Sequence, residues 1–100
     1  MSISNQGRPD RDSLSDKVVL VTGGSRGMGA AIARRFASAG SRVAIGYRNE
    51  SAAADAVLGD IAELGAQGIG VAGDISNPDD ARAMVAQVIA QFGHLDILVN

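Results

Sequence analysis

At 100 residues and a net charge of −2, the chain has room for one small domain or part of a larger one, and it lacks the concentrated basic surface that nucleic acid requires. Hydrophobic residues make up 46% and charged residues 20%, an ordinary globular balance, while 13 glycines are about twice average usage and point to places where the backbone needs unusual freedom. The absence of cysteine excludes disulfides and thiolate metal sites, and the single histidine, His94, cannot make a metal centre alone; with no apolar run of membrane-spanning length and a polar start, no membrane partner is expected, and a cytoplasmic location is.

Residues Met1 to Ser15 mix polar residues with Gly and Pro without periodicity, which predicts a mobile tail with structure beginning near Lys17. Val18-Val19-Leu20-Val21 is a continuous, β-branched apolar run suited to a central parallel strand covered on both faces. After a glycine turn, Ile32, Ala33, Phe36 and Ala37 recur at helical spacing between Met28 and Ala39, and Gly40 is placed to end that helix. The unit then repeats. Arg42 to Tyr47 reads as a strand, and Ser51 to Leu64 as a helix with Ala54, Val57, Leu58, Ile61 and Leu64 on one stripe, its end punctuated by Gly65 and Gly68.

Ile69 to Ala72 is a third strand, followed by Asn77-Pro78 as N-cap and first helical residue of a helix that includes Ala81 to Phe92 and closes at Gly93. Leu95 to Val99 is a fourth strand, ending at Asn100. Strands alternating with helices in this way predict an α/β fold, a doubly wound parallel sheet with right-handed crossovers.

The turn Thr22-Gly23-Gly24-Ser25-Arg26-Gly27-Met28-Gly29 lies between the first strand and first helix, where a doubly wound sheet places its ligand. A helix start offers unpaired N–H groups and a positive dipole end, so a pyrophosphate fits there if no side chain blocks it. Gly23 would make the sharp turn, Gly27 would admit the phosphates, and Gly29 would let the helix pack tightly on the strand. The spacing G-x-x-x-G-x-G differs from the general G-x-G-x-x-G fingerprint, and no Gly-Lys-Ser/Thr follows, which excludes a P-loop. A tight connection without a ligand is the plain structural alternative.

The same eight residues resemble the T-G-x-x-x-G-(I/L/M)-G signature of classical short-chain dehydrogenases/reductases. Gly73-Asp74-Ile75 resembles that family's Asp-Val/Ile pair, and Leu95-Asp96-Ile97-Leu98-Val99-Asn100 resembles the strand leading into its Asn-Asn-Ala-Gly motif. The resemblance covers about residues 16 to 100, in family order and spacing. It implies a Rossmann-like sheet of strand order 3-2-1-4, and a nicotinamide cofactor bound by Gly23, Ser25, Arg26, Gly27, Met28, Gly29, Tyr47, Arg48, Asp74, Ile75 and Asn100. Asp74 would contact the adenine amino group and Ile75 its ring; as a bare residue, Asp74 equally suits a strand-end turn or a helix cap.

Cofactor choice in this fold is made at the end of the second strand, where a carboxylate binds the 2′-hydroxyl of NAD or an Arg accommodates the 2′-phosphate of NADP. Tyr47 stands where an NAD-preferring relative carries Asp, Arg48 follows, and Arg26 is a second cation in the glycine turn. NADP(H) is therefore expected, with NAD(H) left possible by nearby Glu50; a solvated surface position is the alternative for Arg48.

The family's chemistry is hydride transfer between nicotinamide and an alcohol or ketone, with a Tyr-x-x-x-Lys pair moving the proton and a Ser polarising the substrate oxygen. None has a match here: the only tyrosine, Tyr47, has Ser51 four residues on, and no lysine follows Lys17. The resemblance thus implies the cofactor-binding part of a longer reductase, similar to 3-oxoacyl-carrier-protein reductases, acting on a small molecule and assembling as a homo-oligomer, dimer or tetramer, when complete. The 100 residues alone are expected to be inactive, with Leu95 to Val99 an apolar sheet edge prone to self-association. A non-catalytic NADP(H)-binding module remains as a second reading. An S-adenosylmethionine methyltransferase is disfavoured by the glycine spacing and the Asp-Ile pair.

Overall fold

The run Val18-Val19-Leu20-Val21 is buried at every position, a condition a strand meets only with neighbours on both edges and cover on both faces. The computed structural model describes residues 14–100. In it, β1 (Val18–Thr22), α1 (Gly27–Ser38), β2 (Arg42–Tyr47), α2 (Ser51–Glu63), β3 (Gly68–Ala72), α3 (Pro78–Phe92) and β4 (Ile97–Val99) follow one another. All pairings are parallel in the order β3-β2-β1-β4, with Leu20 level with Ala44 on one side and Leu98 on the other. This is the doubly wound, Rossmann-like sheet of order 3-2-1-4 that the sequence predicts.

Strand alternation divides β1 between two cores. Val19 and Val21 pack with Val43 and Ile45 of β2 against Ala30, Ala33 and Ala37 of α1 and Val57 and Ile61 of α2. Val18 and Leu20 face the other way, packing with Ala44 and Val71 against Met84 and Val88 of α3. Each fully buried Val or Leu of this kind stabilises the fold by roughly 1.5–3 kcal/mol. The alanines of α1 bring its backbone close to the sheet.

The helix boundaries follow from local chemistry. Gly40, Gly65 and Gly93 adopt left-handed φ values of 96°, 84° and 92° just beyond the three helix ends. Asn77 caps α3, its side chain accepting from the N–H groups of Asp79 and Asp80 at 2.9 and 3.0 Å.

The structure departs from the sequence reading in four places. The expected mobile tail falls mostly on residues 1–13, outside the described residues, but Leu14 and Ser15 belong to the fold: the buried Ser41 hydroxyl donates to the Leu14 carbonyl at 2.7 Å, and Ser15 packs beside Gly40. Leu64 leaves the predicted stripe because it is the C-cap of α2 and is 49% exposed. Gly68 does not end α2; it opens β3, where a Cβ would press on Leu58 and Ile61.

The fourth departure is at β4, which begins at Ile97 rather than Leu95. The Asp96 carboxylate accepts the Val18 N–H at 2.8 Å while the Asp96 N–H donates to the Val18 carbonyl at 2.9 Å, so a side chain takes one of the bonds a strand carbonyl would make. His94 Nε2 lies 2.9 Å from the same carboxylate. Within β4 itself, Ile97 and Val99 are half-buried and Leu98 is 47% exposed.

The Asp96 carboxyl is held below its ordinary value of 3.8, chiefly by the Val18 N–H and further by His94 and Lys17, against a smaller opposing effect of burial. The unfolded chain then takes up this proton first as pH falls. The stabilisation is complete above the ordinary carboxylate value and is lost as pH drops through it towards the lower folded value. Asp96→Asn should flatten the acid limb of the stability curve below about pH 4; urea unfolding at pH 3 to 6 will show a smaller loss for the variant than for the parent chain.

Candidate functional site

A cleft of about 310 Å³ opens at the carboxyl ends of β1, β2 and β3, lined by Thr22, Gly23, Gly46, Tyr47, Arg48, Glu50, Gly73, Ile75 and Met84. This is the sheet end where α/β folds take their ligands. Its floor is Met84 of α3, buried beneath two glycines; a Cβ at Gly46 would come within 2.9 Å of the Met84 methyl, and one at Gly73 within 2.8 Å of its sulfur. The sequence reading missed this arrangement, since Met84 looks like any core residue and Gly46 like any strand residue.

The glycine turn forms one wall. Gly23 N–H and Gly24 N–H both donate to the Gly46 carbonyl, at 2.9 and 3.3 Å, tying the turn to the end of β2. Gly23 and Gly27 take left-handed φ values of 68° and 55°, and a Cβ at Gly27 would meet nothing within 4 Å, so this flank of the helix start is open. Gly29 serves a different contact from the one expected. A Cβ there would overlap the Gly23 carbonyl, so its bareness lets α1 seat on the turn rather than on the strand.

Arg26 is the N-cap of α1 in extended conformation, yet its side chain makes no cap, and the first turn holds no acidic residue. Among the described residues the first N–H groups of α1 are thus left without side-chain acceptors at the positive end of the dipole. Arg26 itself is exposed and joins no ion pair among the described residues. Ser25 is buried within the turn, with its hydroxyl 3.5 Å from Glu50 Oε1. Met28 is 79% exposed and does not line the cleft.

Across the cleft, Tyr47 ends β2 with its ring beside Gly70 of β3. Arg48 reaches Asp74 at 3.7 Å, an exposed contact. Asp74 accepts from the hydroxyl and N–H of Ser76 at 2.6 and 3.0 Å; those two bonds hold its carboxyl below the ordinary value against the opposing effect of burial, with the charge of Arg48 the smallest contribution. The turn-forming alternative for Asp74 is thus realised through Oδ1, while Oδ2 faces Arg48. Ile75 lines the cleft beside it, and the Thr22 hydroxyl donates to Asn100 Oδ1 at 3.0 Å, which brings Asn100 to the end of β1. The structure therefore gathers Gly23, Tyr47, Arg48 and Ile75 around one cleft, sets Ser25, Arg26, Gly27 and Gly29 in its glycine wall and Asp74 at its rim, and leaves the Met28 side chain in solvent.

Among the described residues no helix is long and apolar enough to cross a membrane, and no group of three or more His, Asp or Glu side chains is arranged to hold a metal.

Comparison with known proteins places this geometry. The family model for short chain dehydrogenases matches residues 17–100. An uncharacterised oxidoreductase of Methylorubrum extorquens is 45% identical over 87 residues, 87% of this chain and 35% of that protein. A 3-oxoacyl-(acyl-carrier-protein) reductase of Staphylococcus aureus is 39% identical over 84 residues, 84% of this chain and 34% of that protein. Among solved structures, a short chain dehydrogenase from Burkholderia cenocepacia in complex with NADP superposes with a TM-score of 0.83 at 48% identity, covering 87% of this chain and 36% of that one. A dehydrogenase/reductase from Sinorhizobium meliloti gives 0.85 at 37% identity, covering 93% and 38%. The chain spans about a third of the length of the relatives it matches.

The two glycines of the helix start fail differently when filled. Gly29→Ala drives a methyl into the Gly23 carbonyl and should cost about 1–3 kcal/mol or more. Gly27→Ala meets only its left-handed backbone and should cost about 1 kcal/mol. Thermal unfolding of the two variants will rank them in that order.

Proposed function

The chain belongs to the short-chain dehydrogenase family, and we propose that it forms the NADP(H)-binding part of an oxidoreductase moving hydride between a nicotinamide cofactor and an alcohol or ketone. One observation carries this reading: the start of α1 has no side-chain cap and no acidic first turn, and is bared by Gly27 beside the buried Ser25 at the mouth of a cleft. A dinucleotide pyrophosphate supplies the anion those N–H groups lack.

In this assignment the N–H groups beyond Arg26, those of Gly27, Met28 and Gly29, bind the pyrophosphate, with Ser25 as a hydroxyl donor. Ile75 packs on the adenine, and Asp74, kept ionised by Ser76, accepts from its amino group. Arg48 and Arg26 bracket the 2′-phosphate, Tyr47 borders the adenosine ribose without a carboxylate that would repel it, and Asn100 stands at the end of β1 on the nicotinamide side. The nicotinamide gives or takes the hydride, and this chain's residues hold it in place. NADP(H) over NAD(H) is supported by the pair Tyr47-Arg48 and by the NADP bound to the Burkholderia cenocepacia relative.

The family's proton-transfer Tyr and Lys have no match among these residues. The acid/base step is assigned to the portion of the family chain that these residues do not match, together with the small-molecule substrate site and homo-oligomer contacts. The proposal places the protein in the cytoplasm.

Arg48→Asp should invert cofactor preference. A charge-assisted phosphate contact contributes about 1.5–3 kcal/mol, so the ratio of NADPH to NADH dissociation constants should move by roughly ten- to a hundredfold. Titration of both cofactors into both forms measures it, and an unchanged ratio removes Arg48 from the site.

A further inference from the structure

The Asp74 N–H donates to Asp80 Oδ2 at 2.9 Å, a bond that ties the rim of the cleft to α3. Asp80 is the third residue after the Asn77 cap, in the first turn of that helix. A carboxylate at this position ordinarily reaches back to the N–H of the cap residue itself. Here that group is already taken, because the Asn77 N–H donates to the Asp74 carbonyl at 2.9 Å. Asp80 reaches three residues further back along the chain instead, into the turn that carries Asp74 and Ile75. The bonds on this turn fall into two sets. Those that Ser76 and Asn77 make to Asp74 lie within residues 74–77 and give the turn its shape, but they leave its placement against the cleft open. Two bonds to residues outside the turn supply that placement: the Gly73 N–H donates to the Tyr47 carbonyl at 2.9 Å, and the Asp74 N–H donates to Asp80. Packing follows the same line. Met84, four residues after Asp80 and so on the same face of α3, lies beneath Gly73 and belongs to the core against which Ile75 packs; a Cβ on Gly73 would also come within 3.5 Å of the Asp80 Cβ.

From this network we propose that Asp80 is a positioning residue for base recognition: its carboxylate fixes the backbone at Asp74, so that the Asp74 carboxylate meets the amino edge of adenine while Ile75 meets its ring. The proposal rests on the nucleotide-binding reading above and deepens it. Asp80 touches no ligand in this scheme and acts through Asp74. With the Asp80 bond removed, the turn keeps its internal shape and its charge but is free to tilt about Gly73, and the Asp74 carboxylate loses its alignment with a donor on the base. The plain alternative is that Asp80 only complements the dipole of α3, as its neighbour Asp79 does; the Asp79 carboxylate pairs with Arg82 within the helix. The two roles separate experimentally, because a dipole effect is shared by both acids and the bond to Asp74 belongs to Asp80 alone among the described residues.

The test uses two probes that differ only at the base, NADP and its analogue with hypoxanthine in place of adenine, titrated calorimetrically into the chain and its variants. Hypoxanthine presents an oxygen where adenine presents the amino donor, so the ratio of the two dissociation constants reads the Asp74 contact alone. Asp80→Ala should lower the preference for adenine by about three- to tenfold, part of what a hydrogen bond to a charged group contributes. Asp80→Ser, one bond too short to reach the Asp74 N–H, should do the same and serves if the alanine variant misfolds. Asp80→Asn keeps an acceptor oxygen in place and should retain most of the preference. Asp79→Ala removes an acid from the same helix turn and should change the ratio by less than about twofold. The Asp74 amide, followed by NMR hydrogen exchange without cofactor, should lose protection in Asp80→Ala and keep it in Asp79→Ala. A parent-like ratio in both Asp80→Ala and Asp80→Ser overturns the assignment while the nucleotide reading stands. An equal fall in Asp79→Ala also overturns it, because the effect then belongs to the helix start as a whole. If the parent chain binds NADP but shows no preference for adenine, the Asp74 contact falls and this inference with it; if it binds neither probe, the nucleotide reading itself falls.

Discussion

Burial of β1 on both faces and both edges is the constraint from which the rest of the structure follows. Four consecutive apolar residues, Val18 to Val21, cannot all be hidden by a single layer, so helices must lie on both sides of the sheet. Parallel neighbours then require crossover helices, and right-handed crossovers return every chain segment to the same end of the sheet. The carboxyl ends of β1, β2 and β3 consequently converge with the starts of α1 and α2, and that convergence is the cleft. Its position is a product of the core, before any residue of the cleft contributes chemistry.

What the cleft residues add is a difference between helix starts. The start of α3 is fully provided for, with Asn77 as cap and Asp79 and Asp80 in its first turn. Those of α1 and α2 have neither a side-chain cap nor an acid in the first turn. Leaving a helix start uncapped costs stability, typically about 1 kcal/mol against a good cap. The glycine wall keeps that cost local: Gly23 and Gly24 spend their N–H groups on the Gly46 carbonyl, fixing the turn, while the groups beyond Arg26 stay available.

The parts of this arrangement legible in the sequence are those written in short-range chemistry. A four-residue apolar run, glycines just beyond helix ends, an Asn-Pro pair and a glycine-rich turn each state a local conformation; the alternation of elements then implies a parallel sheet, and the family resemblance its strand order. Contacts between residues far apart in the chain were not legible. Nothing near Asp96 announces that its carboxylate will accept the Val18 N–H and shorten β4, and nothing near Met84 announces that Gly46 and Gly73 are bare to admit it. Gly29 was read correctly as a position of close approach, but the partner, the Gly23 carbonyl, is a consequence of how the turn closes. Leu14 looked like tail because its role depends on Ser41, 27 residues away. The contact between Ser25 and Glu50, 25 residues apart, is of the same kind.

The electrostatics at the rim of the cleft turn on one contrast: Asp74 is anchored and Arg48 is loosely held. Asp74 is bound by two hydrogen bonds to Ser76 within its own turn, so it keeps its position and charge whatever Arg48 does. Among the described residues Arg48 has only the 3.7 Å contact to Asp74, with its side chain 68% exposed, and exposed pairs of that length contribute little to stability. A phosphate offering a charge-assisted bond at shorter range can therefore draw Arg48 away from Asp74 with little loss, and Asp74 is left with one oxygen free for a donor. The acid and the base of this pair are therefore held independently, the acid by its own hydrogen bonds and the base, among the described residues, by none.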